Sequence, residues 1–378
     1  MLNKLFALFS HDVGIDLGTA NILVFVEGKG IVIREPSVVA MRKKTKEIIA
    51  VGSEAKKMVG KTPPSILTIR PLKGGIISDF DATQGMISHY MKQVHEMGSV
   101  YKSLFARPKV VIGIPSSVTE VQRRAVWEAA LSAGAREAYL IEEPMAAAIG
   151  EGISVSSATG VMVVDIGGGT TEIAIISLGG IVVSRSVRLA GDDLDQAIIH
   201  YVRLRHGMLI GEKTAEDIKI SIGSAYQKTK SKKSAEQVEE SKKSRIDHDS
   251  EIEEVKEKGE RMAIIRGRNI ETGLPRSIKI SESEVREALA PVLNKIVQAV
   301  ADVVEDAPPE LISDILERGI LVTGGGSQLA GLDQLIVERT HMPVILSNDP
   351  LTSVVRGTGK VLGDPALLAR VQVIGGLR

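Results

Sequence analysis

Val13-Gly-Ile-Asp-Leu-Gly-Thr-Ala-Asn-Ile-Leu-Val-Phe-Val-Glu-Gly-Lys-Gly-Ile-Val-Ile33 is echoed by Val163-Val-Asp-Ile-Gly-Gly-Gly-Thr-Thr-Glu-Ile-Ala-Ile-Ile-Ser-Leu-Gly-Gly-Ile-Val-Val183. Each copy reads as an apolar strand, an aspartate, a glycine-containing tight turn, a second strand, a glycine turn and a third strand. The aspartates are Asp16 and Asp165. The two copies lie too far apart for a short-period solenoid, so the echo predicts a duplicated domain. Two similar halves then face each other with a cleft between them.

The rest of the chain alternates strand and helix signals, which implies an α/β fold. Lys109-Val-Val-Ile-Gly-Ile-Pro115 and Ile320-Leu-Val-Thr323 are short β-rich runs, the second ending in Gly324-Gly-Gly326. A helix is predicted from Ser117 to Ala133, with Thr119 as N-cap, Gln122 three residues on and Gly134 as its stop. Pro144 opens an Ala-rich helix to Gly150. Ser281 caps another towards Val304, with Glu284 completing the box.

Turns made of Gly, Thr and Ala leave backbone N–H groups bare and accessible to oxygen anions, and such nests bind phosphate. One glycine-rich turn is usually only geometry. Two matched turns, each with an aspartate at the strand end, predict a clamp on a polyphosphate chain, and two carboxylates beside phosphates suit Mg²⁺. Glu142 and Glu143 stand where a strand gives way to a helix. They read either as complements to the helix N-terminus or as a carboxylate that orients water towards a γ-phosphate. Gly324–Gly326 reads as a surface for a flat ring, a third phosphate turn or a tight connection.

Among 378 residues, Lys+Arg and Asp+Glu each number 47 and cysteine is absent. Zero net charge removes a chain-wide basic field, so no nucleic-acid partner is expected. Without cysteine there is no disulfide, thiolate metal site or thiol nucleophile, as in a reducing cytoplasm. No run approaches the about 18 apolar residues of a membrane span. Leu2, Leu5, Phe6 and Phe9 share one face of a short amphipathic helix. It needs a surface, either its own domain or a membrane. Residues 228–261 hold ten Lys/Arg and ten Asp/Glu among 34 positions, so this insertion is expected to be a mobile loop or a solvated helical hairpin. It reads as a passive insertion or as a docking or filament-tuning element.

The motifs DLGTAN (16–21), EEPMAAAIG (142–150), DIGGGTTE (165–172), LVTGGGS (321–327) and VVRGTG (354–359) resemble, in order, the nucleotide-site motifs of the actin, heat-shock chaperone ATPase and sugar kinase superfamily. Within it, IRPLKGGIISDF (69–80), SRSVRLAGDDLDQAII (184–199), TAEDIK (214–219) and TGLPRSIKIS (272–281) resemble the bacterial actins of the MreB, rod-shape-determining, family. The resemblance implies an actin-like ATPase fold: two duplicated ribonuclease-H-like domains, a nucleotide cleft between them, and a smaller subdomain on each. Mapped here, it implies a membrane-binding segment 1–10, subdomain IA at 11–33, 70–149 and 351–378, and IB at 34–69. Subdomain IIA takes 150–183 and 281–350, and IIB takes 184–280 with the insertion at 227–261.

The resemblance further implies ATP and Mg²⁺ as cofactors. Thr19, Ala20, Asn21, Gly167, Gly168 and Gly169 would contact phosphate, and Asp16 and Asp165 would hold Mg²⁺, mainly through water. Glu143, helped by Thr170, would position the attacking water. Glu216, Asp217, Ile218 and Lys219 would lie beside the ribose and adenine, with Gly324, Gly325, Gly326 and Ser327 under the base. It implies self-assembly into ATP-dependent filaments, with slow hydrolysis secondary to assembly. The filaments would lie on the inner face of the cell membrane and organise peptidoglycan synthesis, with MreC, MreD and RodZ-type proteins as partners. Leu104 and Phe105 match a membrane-insertion loop of the family, and otherwise read as core. The alternatives are a small-molecule kinase on the same fold, a chaperone-type ATPase and an ATP-independent scaffold. No sugar pocket or peptide-binding domain is legible.

Overall fold

A computed structural model describes residues 10–96, 107–226, 252–257 and 260–373. The chain forms two compact units. One contains the residues up to Ala190, Ala299–Ser327 and the residues from Met342 on; the other contains Gly191–Gln298 and Gln328–His341.

The first unit carries the two sequence echoes as two five-stranded sheets. In one, the strand order is Glu137–Glu142, Lys109–Ile114, Val13–Leu17, Asn21–Val26, Gly30–Pro36. In the other it is Val344–Leu346, Ile320–Thr323, Val161–Ile166, Thr171–Ser177, Gly180–Val187. Both have the same logic. Three consecutive strands run as antiparallel hairpins, and the first of them then pairs in parallel with a strand that returns after a crossover. Asp16 lies opposite Gly113 and Leu23, and Asp165 lies opposite Thr323 and Glu172, so the two aspartates occupy matching places. Their central strands are apolar on both faces apart from Asp16 and Asp165, as strands with a parallel neighbour usually are; Val161–Ile166 is buried throughout. Residues 39–69 add a three-stranded sheet, Ile48–Val51, Val39–Arg42 and Ile66–Ile69, closed by helix Ser53–Met58, whose Ala55 packs with Val38 and Ala40.

The helix signals hold where side-chain chemistry is local. Helix Glu120–Ser132 is opened by a complete capping box: Gln122 N donates to Thr119 Oγ1 at 3.3 Å and Thr119 N donates to Gln122 Oε1 at 2.9 Å. Ser281 and Glu284 form the same reciprocal pair ahead of helix Glu282–Glu305. Helix Glu143–Gly150 begins with Pro144 in its first turn and is buried along its length. It crosses helix Ser353–Gly363, which contains VVRGTG. A methyl added at Gly357 would overlap the Ala146 carbonyl, so that motif serves a backbone-to-backbone helix contact.

The second unit has strand Glu260–Asn269 at its centre, paired with Met208–Leu209, Glu253–Glu257 and Pro275–Ser281. Helices Gly191–His206 and Glu212–Ile222 belong to the same unit. One expectation is corrected here. The C-terminal part of the charged tract is neither loop nor helix, because Glu253–Glu257 pairs antiparallel with Glu260–Asn269. Backbone pairing needs no apolar side chain, and a charged sequence suits an edge strand, where it discourages pairing with other chains. Residues 227–251 lie outside the described residues.

Candidate nucleotide and metal site

The two glycine turns meet inside the first unit. A Cβ added at Gly168 would stand 2.5 Å from Ala20 Cβ, and one at Gly169 would stand 2.7 Å from Thr19 Oγ1. Only glycine permits this approach. Each turn is held from behind: Gly167 N donates to the Thr170 carbonyl at 2.9 Å, and Ser37 N donates to the Ala20 carbonyl at 2.9 Å. Thr19 and Thr170 are buried, and Asn21 begins the strand that leaves the first turn.

A third hairpin, which sequence reasoning did not single out as chemistry, reaches both turns. Leu72–Lys73 and Ile76–Ile77 are joined by Gly74 and Gly75 at φ of 52° and 72°. Two successive residues with positive φ suit a tight hairpin turn whose twist matches its strands. Gly75 N donates to Thr19 Oγ1 at 2.9 Å, and a Cβ at Gly75 would lie 3.0 Å from Thr170 Cγ2.

Four carboxylates gather behind the turns, and no cation pairs with them among the described residues. Burial pushes Asp16 up to about 7. Burial, then the charges of Asp16 and Glu172, push Asp165 up to about 8. Glu143 opens its helix 9% exposed; burial first, then Glu172, Asp165 and Asp16, hold it well above the usual carboxylate range. Glu172 is 1% exposed. Burial raises its pKa, while two donors favour its charged form: Ser116 N at 3.0 Å and Ser186 Oγ at 2.5 Å. Gly113 adjoins Glu143, and a Cβ there would stand 2.9 Å from Val354 Cγ1, on the helix that packs against the Glu143 helix. Glu142 also sits above its ordinary pKa through burial and the Glu172 charge. Glu172 escaped the sequence reading, although a glutamate leading directly into the apolar run Ile173–Ile176 was a usable signal.

Such a field asks for protons or a cation. Among the described residues, no three His, Cys, Asp or Glu side chains stand close enough to hold a metal ion by themselves. Asp16 and Asp165 fit Mg²⁺ if water and phosphate oxygens complete its shell, since the ion keeps several waters and rarely takes an all-protein cage.

The residues expected beside the base fall into both units. Gly324 follows strand Ile320–Thr323 at φ 81°, and a side chain there would overlap Asp165 Oδ1 and the Ile166 carbonyl. Gly325, Gly326 and Ser327 form a 3₁₀ turn, with Ser327 Oγ donating to the Gly324 carbonyl at 2.7 Å. In the second unit, Glu216, Asp217, Ile218 and Lys219 lie on helix Glu212–Ile222. Ile218 is fully buried in that unit's core. Lys219 Nζ lies 2.8 Å from Asp195 Oδ1 and donates to the Gly191 carbonyl at 2.9 Å. Leu2, Leu5, Phe6, Phe9, Leu104 and Phe105 lie outside the described residues.

Known proteins resemble this chain. The MreB/Mbl protein family profile matches residues 10–241 and 235–370. The chain is 50% identical over 366 residues to the cell shape-determining protein MreB of Escherichia coli, covering 96% of each. It is 44% identical over 357 residues to the cell shape-determining protein Mbl of Bacillus subtilis, covering 94% of this chain and 97% of that one. Among solved structures, MreB5 of Spiroplasma citri bound to ADP superimposes with a TM-score of 0.80 at 36% identity, covering 96% of this chain and 98% of the other. The same protein bound to AMPPNP gives the same score. A MamK double helical filament subunit, at 20% identity and TM-score 0.70, shares the fold. The duplicated sheets, the matched aspartates and these similarities agree: the chain has the actin-like ATPase fold and belongs to the MreB/Mbl family of bacterial actins.

Proposed function

We propose that the chain is an ATP-dependent filament protein that lies on the inner face of the cell membrane and sets cell shape by organising peptidoglycan synthesis. The observation that carries this reading is the meeting of the two turns at Ala20 and Gly168, with Asp16 and Asp165 at their bases. The naming of the relatives as shape-determining proteins supports the cellular role, and their ADP- and AMPPNP-bound structures support the nucleotide.

In this reading Thr19–Asn21 and Gly167–Gly169 contact the phosphates, through those backbone N–H groups that the turns leave bare; the Gly167 N–H instead closes its own turn on the Thr170 carbonyl. Asp16 and Asp165 hold Mg²⁺ through water, and when bound the ion neutralises polyphosphate charge. Glu143, with Thr170, orients the attacking water; its task is orientation more than strong basicity. Gly324–Ser327 take the base in this reading, and the assignment of Glu216, Asp217 and Lys219 to the ribose and base rests on the resemblance; Ile218 is a core residue of its own unit. ATP drives assembly only to the extent that it binds the assembling conformation better. The four-part subdomain division read from sequence belongs to the same proposal.

Membrane attachment through residues 1–10 and the Leu104–Phe105 loop is supported by how their described flanks are joined. Arg107 N donates to Ser10 Oγ at 2.6 Å, Lys109 N donates to Asp12 Oδ1 at 2.7 Å, and Arg136 pairs with Asp12 at 2.9 Å. The described residues next to the two apolar segments, Ser10 and Arg107, therefore share one base. No described helix is long and apolar enough to cross a membrane. MreC, MreD and RodZ-type proteins are the proposed partners beyond self.

The test mixes purified protein with anionic liposomes and Mg²⁺, with and without ATP, and images negatively stained grids beside a variant lacking residues 1–10. ATP-dependent filaments on lipid, released from lipid by the truncation, are the expected result. Nucleotide binding without polymer under any condition overturns the filament reading, and phosphate transfer to a sugar would install the kinase.

A further inference from the structure

Strand Gly180–Val187 ends beside the second glycine turn. Val187 pairs with Thr171, and Thr171 Oγ1 donates to the Leu189 carbonyl at 2.7 Å. Arg188 lies between these two anchors, so its backbone is fixed while its side chain is exposed. Its stem runs over the Gly74–Gly75 hairpin: a Cβ added at Gly74 would stand 3.5 Å from Arg188 Cδ and 3.9 Å from the Gly169 carbonyl oxygen. Nothing bulkier than glycine separates the arginine from the second phosphate turn at this point. Arg185, on the same strand, is committed to Asp302 and Asp306. Arg188 is not, and no hydrogen bond or ion pair engages it among the described residues.

An uncommitted arginine beside the Gly74–Gly75 hairpin, in a unit that also holds four carboxylates lacking a cation partner, calls for an explanation. The turns bring only backbone N–H groups and hydroxyls to a polyphosphate, and no Lys or Arg lies in 16–21 or 165–172. The anion would then enter a negative field with only the metal to offset it. A guanidinium supplies the missing charge and, through its planar fork, fixes a terminal phosphate by paired hydrogen bonds.

We propose that Arg188 is a phosphate-positioning residue whose guanidinium reaches past Gly74 to the terminal phosphate of a nucleoside triphosphate seated between the two turns. The proposal rests on the nucleotide reading above and adds a discriminator between triphosphate and diphosphate. The turns and metal serve any polyphosphate, whereas a cation at the outer end serves the longest one.

The experiment titrates fluorescent ATP, ADP and AMP analogues, with Mg²⁺, into the full chain, Arg188→Ala, Arg188→Lys and Lys73→Ala, the last removing the exposed cation of the neighbouring hairpin. Matching melting temperatures check that the variants fold. Arg188→Ala should lose about tenfold or more in ATP affinity, as expected for a charge-assisted contact. It should lose clearly less for ADP and nothing for AMP. Arg188→Lys should recover part of the loss, and Lys73→Ala should lose less than Arg188→Ala. Unchanged ATP affinity in Arg188→Ala, or an equal loss for all three nucleotides, overturns the proposal. If the unmodified chain binds none of them, the nucleotide reading itself falls and takes the proposal with it.

Discussion

Glu172 lies directly opposite Asp165 in the second hairpin, a pair of carboxylates on neighbouring strands with no cation between them. Like charges across a strand pair are ordinarily destabilising. Here they are kept, beside the apolar run Ile173–Ile176, because Ser116 N and Ser186 Oγ donate to Glu172. The cluster of Asp16, Glu143, Asp165 and Glu172 is therefore a store of unfavourable electrostatics at the centre of the fold.

Its first consequence is a pH dependence of stability in the nucleotide-free, metal-free protein. Asp16 and Asp165 rise from 3.8 when unfolded to about 7 and about 8 when folded. Between these limits the folded state binds more protons than the unfolded one, so stability falls as pH rises and levels off above about 8. Thermal melting in EDTA should give a higher midpoint at pH 5.5 than at pH 8. Asp165→Asn should flatten that difference, and an unchanged slope in the variant would show that the cluster does not cause it.

Glu143→Ala separates hydrolysis from binding. If this carboxylate orients the attacking water, phosphate release should fall by roughly 10²-fold or more, while ATP affinity stays within a few-fold of the parent. Filaments should still form with ATP and should turn over more slowly in a pelleting time course. Wild-type phosphate release from the variant would remove Glu143 from the mechanism.

The approach of the turns can be tested by adding volume where they meet. Gly168→Val places side-chain atoms on Ala20 and forces the hairpins apart. Overpacking of this kind costs about 1–3 kcal/mol. We expect nucleotide binding to fall at least tenfold, with only a modest drop in melting temperature. Gly357→Leu should do the reverse. It overlaps Ala146 at the helix crossing, away from the turns, and should lower the melting temperature by several degrees.

Membrane attachment should depend on both segments that leave the Ser10–Arg107 base. Leu104→Ser with Phe105→Ser, or removal of residues 1–10, should each reduce co-sedimentation with anionic vesicles. Combining them should abolish it, and ATP binding should be unaffected throughout. Full vesicle binding by the combined variant would place the lipid contact elsewhere.

What was legible in the sequence was local. The strand–aspartate–glycine echo, the capping boxes at Thr119 and Ser281 and the proline start of helix Glu143–Gly150 all appear where they were read. Such features depend on residues a few positions apart, through side-chain periodicity, turn torsions and capping bonds, so the chain encodes them without reference to its tertiary fold. Even the duplication is a local pattern written twice.

Only the tertiary structure decided which of these pieces touch. Ala20 and Gly168, Thr19 and Gly75, and Gly74 and Arg188 are joined by sheet pairing and turn placement that no short window contains. Glu172 looked like an ordinary strand residue until its neighbours were Asp165, Ser116 and Ser186. That Gly357 of VVRGTG packs against the Ala146 backbone was equally invisible in the sequence. The charged tract failed as a composition argument at Glu253–Glu257, because a strand can be held by a neighbour's backbone without burying any apolar side chain. Composition, periodicity and turn chemistry are properties of the chain. Desolvation, charge proximity and close approach are properties of the packed fold, and the chemistry of this site depends on the second set.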